Sequence, residues 1–309
     1  MKRSEQRQGR WNTGNTPERY SVVRINRCNQ KCLICMVSDT IDRQKHDSTV
    51  KLLKRQIDTA CSQNYTVVDF FGGEPTTQPN LIGAIHYAAS RGMKCCLATN
   101  ALVFSRADYA ERFFSECSID SIRTTLHSHD PKIHDAITQV PSSHRQTVQG
   151  IKNILKYVKP NRIVVNIVIG RHNVASLEKI VRFISDLDCM VIKFSGLIIE
   201  GRALQNSFLA VSPDTVKHYL LKAVRLCSRL KQLFLVEKLA DCFLDCRFGD
   251  RFIREQDQRY MKLTFMKLKG CDLCPLKSCC TGFEKKTLVM FGVPKFYSHF
   301  VSTRLALNN

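Results

Sequence analysis

The sequence predicts an α/β fold: a partial (β/α)6 TIM-like barrel followed by a small cysteine-rich C-terminal extension. Three observations carry the prediction. Between residues 21 and 206, short β-branched runs alternate six times with longer stretches of helical periodicity, a pattern that argues for parallel strands joined by crossover helices. The strand runs are apolar almost end to end, as in the IVVNIVI of residues 163–169, which fits strands covered on both faces. The unusual residues fall at the C-terminal ends of the strands, where such barrels gather their function. Spacing alone does not separate a partial barrel from an open doubly wound sheet, although the barrel is favoured.

Strands are expected over residues 21–25, 66–71, 94–99, 121–127, 162–169 and 190–194, with helices near 49–63, 80–91, 105–115, 143–157 and 175–186. Ile151, Ile154, Leu155 and Val158 form one clear apolar helical stripe. Residues 1–20 read as a loose basic lead-in and 21–206 as the barrel, while 207–309 form the extension. A further helix is expected over 212–230, with Ser212 as N-cap and Pro213 in the first position.

The formal net charge is +20, from 47 Lys and Arg against 27 Asp and Glu. Such an excess attracts anions, whether nucleic acid, an acidic peptide, a phosphorylated substrate or an acidic electron donor. Nucleic acid is permitted but unsupported, because the basic residues lack the aromatic interleaving of a single-strand platform. The first twenty residues contain no apolar segment and no run is long enough to span a membrane, so neither a secretory leader nor a membrane anchor is expected. Fifteen cysteines in such a chain point to metal ligation, catalysis or burial in a reducing, cytoplasmic compartment.

Cys28, Cys32 and Cys35 follow the first strand at C-x3-C-x2-C spacing. A four-iron cluster usually takes four thiolates; three leave one iron open, and an open position is what a metal centre needs to bind a substrate directly. The alternatives are a zinc knuckle or buried thiols. After the second strand comes Gly72–Gly73–Glu74–Pro75; paired glycines permit close backbone approach and proline fixes the turn.

Together these segments resemble the radical S-adenosylmethionine superfamily. The resemblance implies a catalytic 4Fe–4S cluster on Cys28, Cys32 and Cys35, with the cofactor's amino and carboxylate groups on the open iron. It implies that Gly72, Gly73, Glu74 and Pro75 receive the cofactor's amino group. Thr99–Asn100, Thr125 and Asn166 stand where relatives place further cofactor contacts, and each is equally read as a satisfied turn or core residue; Gly201–Arg202–Ala203 resembles the G-R-A stretch of many relatives. Arg202 is suited to binding a carboxylate of cofactor or substrate. Ile34 departs from the family, which usually has an aromatic there. A low-potential electron donor such as a flavodoxin or ferredoxin is implied as partner.

In the extension, Cys271, Cys274 and Cys280 at C-x2-C-x5-C spacing resemble the auxiliary-cluster segment of SPASM and twitch extensions. Cys242, with Cys246 as the alternative, would be the fourth ligand of a second 4Fe–4S cluster; four thiolates would equally serve zinc. Cys279 reads as a spectator. Cys61, Cys95, Cys96, Cys117, Cys189 and Cys227 read as small buried residues. His127, which ends the fourth strand, is expected on the substrate side, with His129 and His134 solvated or capping. Modification of a ribosomally made peptide, the commonest role among members with such extensions, is the function that the resemblance implies first. The alternatives are a radical enzyme acting on a nucleoside, sugar or RNA, a methyl-transferring variant, and a non-catalytic iron–sulfur protein.

Overall fold

A parallel sheet with helices packed against it carries the chain from residue 20 to residue 253, as shown by a computed structural model that describes residues 20–43, 49–189, 191–244, 252–253, 264–274 and 280–297. Eight strands lie in sequence order: β1 (Tyr20–Ile25), β2 (Val67–Gly72), β3 (Lys94–Ala98), β4 (Ser121–Thr125), β5 (Ile163–Ile169), β6 (Val191–Gly196), β7 (Leu233–Glu237) and β8 (Phe252–Ile253). Every adjacent pair is parallel. Among the described residues β1 and β8 are the two edges and the barrel is a partial one.

The helices are α1 (Ser38–Arg43), α2 (Val50–Ser62), α3 (Leu81–Ser90), α4 (Ala107–Glu116), α5 (Pro131–Thr138), α6 (Ser143–Ile154), α7 (Leu177–Ser185), α8 (Arg202–Gln205) and α9 (Pro213–Arg229). Local chemistry sets several boundaries. Thr49 caps α2 by accepting the Leu52 amide, and Ser212 caps α9 by accepting the Thr215 amide just before Pro213. Two elements differ from the expectation. The repeat does not end near residue 206: α9 and β7 add another helix–strand unit, and the whole of β7 pairs with β6 from Val191↔Leu233 to Ser195↔Glu237. α5 occupies a stretch expected as loop, started by Asp130, whose side chain accepts the Lys132 amide, and by Pro131 at the first position.

Because side chains alternate across a strand, the sheet presents two contrasting faces. Val23, Val68, Phe70, Leu97, Ile122, Val165, Ile167, Ile192, Phe194 and Phe234 are all 0% exposed and form the helix-facing core. The opposite parity puts Asp69, Arg123, Asn166, Lys193, Ser195 and Glu237 on the inner face, with Asn166 in register with Lys193 and Ser195 with Glu237. Val164, Val191 and Leu235 close the floor of that face as a separate apolar cluster.

Beyond the sheet, β9 (Phe265–Met266) and β10 (Phe283–Glu284) pair antiparallel, and α10 (Lys285–Phe291) follows. Glu284 starts α10 by accepting the Thr287 amide (2.6 Å) and hydroxyl (2.7 Å). No helix among the described residues is long and apolar enough to cross a membrane.

Candidate active site and auxiliary metal centre

Cys28, Cys32 and Cys35 sit on the loop from β1 to α1, and three other segments hold that loop by its backbone. From the end of β2, the Gly73 amide donates to the Ile25 carbonyl (2.7 Å) and the Glu74 amide to the Arg27 carbonyl (2.6 Å). The two chains run so close that a Cβ on Gly72 would overlap the Ile25 oxygen, and one on Gly73 the Arg27 oxygen. From the end of α5, the Ile137 and Thr138 carbonyls accept the Leu33 (2.9 Å) and Lys31 (3.2 Å) amides. From the turn after β6, Arg202 donates its amide to the Cys35 carbonyl (3.0 Å) and its Nε to the Cys32 carbonyl (3.2 Å). Gly201, at φ +56°, permits that last approach, since a Cβ there would press on the Cys35 oxygen.

The three thiols lie within one another's electrostatic reach. Burial pushes Cys28 up to about 11 and Cys32 up to about 12; neighbouring thiols add to this, and the Arg202 guanidinium opposes it. A metal that takes them as thiolates therefore displaces protons. Among the described residues, no three His, Cys, Asp or Glu side chains converge as a site for a single metal ion. The thiolate donor set, the rigid loop and a guanidinium beside it fit an anionic iron–sulfur cluster. Ile34 is buried and packs in an apolar cluster with Ile137, Leu197, Ile199 and Ala203.

Glu74 is buried and joins the ends of β2 and β3. Its carboxylate accepts from the Thr76 amide (3.1 Å) and hydroxyl (2.7 Å), the Thr99 hydroxyl (2.8 Å) and the Asn100 amide (2.6 Å). Burial pushes the carboxyl above its ordinary range and these donors pull it back. Asn100 in turn donates its side-chain amide to Asn29 Oδ1 (2.7 Å), between the first two cysteines. The Gly-Gly-Glu-Pro segment thus fixes the cysteine loop as well as ending a strand.

The inner face holds a charged lattice that the sequence reading missed, apart from Asn166. Asp69 pairs with Arg123 (2.5 Å), whose guanidinium lies over the Phe71 ring. Lys193, 4% exposed, pairs with Glu237 (2.8 Å), and Lys238 stands 4.0 Å from the same carboxylate. Ser195 Oγ lies 2.6 Å from Asn166 Oδ1 and 3.4 Å from Glu237 Oε2. Burial raises Glu237, but Lys193 and Lys238 outweigh it and hold the carboxyl well below the usual range. Thr125 is in register with Asn166 on this face. A single charge inside each of VVDFF, SIRTT, VIKFS and LFLVE, always at one parity, was the signal available.

His127 does not face an open site. It is 5% exposed and its ring packs against those of His134 (5.3 Å between centroids) and His172 (6.2 Å), with His144 5.4 Å beyond His134. His134 Nδ1 accepts the His127 amide (3.2 Å). His134 is buried rather than solvated, at 1% exposure. Asp135, whose charge acts on His134, is held by the amides of Ser142 and His144 and the Ser143 hydroxyl. Burial pulls both His134 and His172 down from 6.5 to about 4. The unfolded chain then takes up their protons first as the pH falls. Stability is complete above about 6.5 and is lost between there and about 4, by up to about 1.4 kcal/mol per pH unit for each histidine. Thermal unfolding of the metal-free protein should move down steadily between pH 7 and 5, and His172→Gln should flatten that slope; an unchanged slope would contradict the assignment.

In the C-terminal region, Cys242 lies on a 3-10 turn (Asp241–Phe243) and Cys271 on another (Lys269–Leu273). Burial pushes Cys242 up to about 12, with Cys280 and Cys271 adding to it. Burial likewise raises Cys280 to about 11, helped by Asp241 and Cys271. The amides of Asp241 (3.3 Å) and Gly282 (3.4 Å) point at Cys280 Sγ. Cys274 follows on the same turn as Cys271, donating its amide to the Cys271 carbonyl (3.1 Å). Cys242, Cys271 and Cys280 thus lie within one another's electrostatic reach, with Cys274 one turn away; Cys246 and Cys279 lie outside the described residues. Of the remaining thiols, Cys95, Cys96, Cys117, Cys189 and Cys227 are buried and Cys61 is half-buried.

A family model for the radical SAM superfamily matches residues 22–184, more than half of the chain. The chain belongs to the radical SAM superfamily, whose members are enzymes that use a 4Fe–4S cluster and S-adenosylmethionine. The PqqA peptide cyclase of Bradyrhizobium diazoefficiens is 23% identical over 181 residues, 59% of this chain and 47% of that protein. The AdoMet-dependent heme synthase of Methanosarcina barkeri is 22% identical over 175 residues, 57% and 49% of the two chains. The chain thus spans about half the length of the curated relatives it matches. Among solved structures, Streptococcus suis SuiB bound to S-adenosylmethionine shares the fold with a TM-score of 0.58 at 12% identity, over 84% of this chain and 55% of that one. Native anSMEcpe with bound AdoMet and Cp18Cys peptide gives 0.56 at 14%, over 80% and 64%.

Proposed function

We propose that this protein modifies a ribosomally made peptide by radical chemistry, with Cys28, Cys32 and Cys35 holding the catalytic cluster. The observation that carries the reading is the cysteine loop fixed by the backbone of Gly73 and Glu74 on one side and by Arg202 on the other. When bound, the cluster supplies the electron that cleaves S-adenosylmethionine to a hydrogen-abstracting 5′-deoxyadenosyl radical. The chain's own residues then have separable tasks. Gly72, Gly73, Glu74 and Pro75 shape the surface for the methionyl group, with Asn100 holding that segment to the loop. Arg202 places positive charge beside the thiolates. Thr125 and Asn166, on the inner face, are the further cofactor contacts. Cys242, Cys271, Cys274 and Cys280 hold a second 4Fe–4S cluster, and the excess positive charge suits an acidic donor such as a flavodoxin or ferredoxin.

A peptide substrate is supported by two relatives whose names carry one: a PqqA peptide cyclase and a SuiB bound to its precursor peptide SuiA. The AdoMet-dependent heme synthases favour a second reading, a radical enzyme of small molecules. Anaerobic reconstitution decides the chemistry. Under strong reductant the protein should release 5′-deoxyadenosine, and a Cys28/Cys32/Cys35→Ala variant should release none while keeping about four irons on the second site. S-adenosylhomocysteine in place of 5′-deoxyadenosine would indicate methyl transfer, and no irons in the variant would remove the second cluster. Cross-linking to candidate peptides, against turnover with tetrapyrroles, separates the two substrate readings.

A further inference from the structure

The auxiliary cysteines have a neighbour outside their ligand set. Tyr297 is 7% exposed, and its hydroxyl lies 3.6 Å from Cys271 Sγ. Its ring meets Phe283 edge-on, with centroids 5.6 Å apart at 84°. Phe283 continues to Phe296 (6.3 Å), and Phe296 meets Phe243 edge-on (5.2 Å). Lys217 secures the far side of this aromatic wall: its ammonium lies 4.2 Å from the Phe296 ring centroid and donates to the Cys242 carbonyl (2.6 Å). The wall keeps the tyrosine ring in one place, with its hydroxyl next to a ligand sulfur.

A sulfur that keeps its negative charge when it binds metal is the better hydrogen-bond acceptor, and it accepts more strongly as a cluster gains an electron. A donor at that position therefore stabilises the reduced state and raises the reduction potential. We infer that Tyr297 is a positioning residue of the auxiliary centre whose O–H donates to the Cys271 thiolate and sets the potential of the second cluster. The inference rests on the reading that Cys242, Cys271, Cys274 and Cys280 hold iron and sulfur. It names a role for a side chain that ligates nothing, and it makes the auxiliary centre a tuned redox site as well as a cross-link. Cys280 receives corresponding bonds from the backbone amides of Asp241 and Gly282; the Cys271 donor is a side chain and can be removed without touching the chain's path.

The test uses the full chain carrying Cys28/Cys32/Cys35→Ala, so that only the auxiliary centre binds iron, and titrates its potential by electron paramagnetic resonance. Tyr297→Phe, which keeps the ring, should bind the same amount of iron and become harder to reduce. The equilibrium constant for reduction should fall by up to about tenfold, about 59 mV for one electron. Phe283→Leu, which loosens the wall and keeps the hydroxyl, should lower the potential by less than Tyr297→Phe does. An unchanged or raised potential in Tyr297→Phe overturns the inference, and so does loss of iron from that variant, because the hydroxyl would then be needed to build the centre. Absence of iron in the Cys28/Cys32/Cys35→Ala parent itself identifies a different failure, that of the iron–sulfur reading.

Discussion

Gly73→Ala is expected to strip the first cysteine site of its cluster while the sheet stays folded. The new methyl would overlap the Arg27 carbonyl oxygen, a backbone atom that cannot swing away as a flexible side-chain end could. Relief requires the β2 end and the cysteine loop to separate, which breaks the Gly73–Ile25 and Glu74–Arg27 hydrogen bonds. Overpacking of this kind costs about 1–3 kcal/mol, and each lost hydrogen bond adds about 0.5–1.5 kcal/mol. The displaced loop carries Cys28, so the penalty falls on metal binding. Iron per chain should drop to the auxiliary complement and 5′-deoxyadenosine release should cease, with far-ultraviolet circular dichroism unchanged. Gly83→Ala is the matching control. A Cβ there meets nothing within 4 Å in the middle of α3, so alanine should be neutral or stabilise by about 0.5–1 kcal/mol. Full iron content in Gly73→Ala would show that the loop has other means of holding its place.

The glycines also show how far the sequence could be read. Their adjacency announced a close approach, and the expected partner was a ligand. The partner seen in the structure is the backbone of the preceding loop, which no local pattern encodes because Ile25 and Arg27 lie more than forty residues away in sequence. The order of strands was legible because apolar runs at strand length repeat, and α9 was legible through its Ser-Pro start. β7 escaped because its five residues (LFLVE) stand alone against an irregular region. α5 escaped because its stretch looked polar, whereas burial of His134 in a stack of imidazoles makes it part of the packing. Among site residues, Arg202 was legible as a cation suited to a carboxylate, but its Nε bond to the Cys32 carbonyl needed three dimensions. The charged inner face is the largest omission: a lone Asp, Arg, Lys or Glu in a strand means little until register puts them side by side.

That register supports the second large prediction. Lys193→Met removes one partner of a buried ion pair and leaves Glu237 with Lys238 at 4.0 Å, a longer and weaker contact. Stranding a buried carboxylate typically costs about 3–5 kcal/mol, and the remaining lysine places this case toward the lower end. Replacing both partners, as Lys193→Met with Glu237→Leu, removes the stranded charge as well, and such exchanges are often neutral or stabilising. Urea unfolding of the two single variants and the double variant should therefore give a strong positive coupling. A double variant destabilised by the sum of the two single effects would show that the pair is not coupled. The double variant then separates two reasons for having the pair. If the lattice served stability alone, a well-folded double variant would keep its activity. The pair lies on the barrel's inner face, in line with Asn166 and Ser195, and Lys238 extends it to Met36 beside Cys35 (3.6 Å). The double variant is accordingly expected to unfold like the parent and bind its iron, yet to release less 5′-deoxyadenosine, if the inner face receives the cofactor as proposed above.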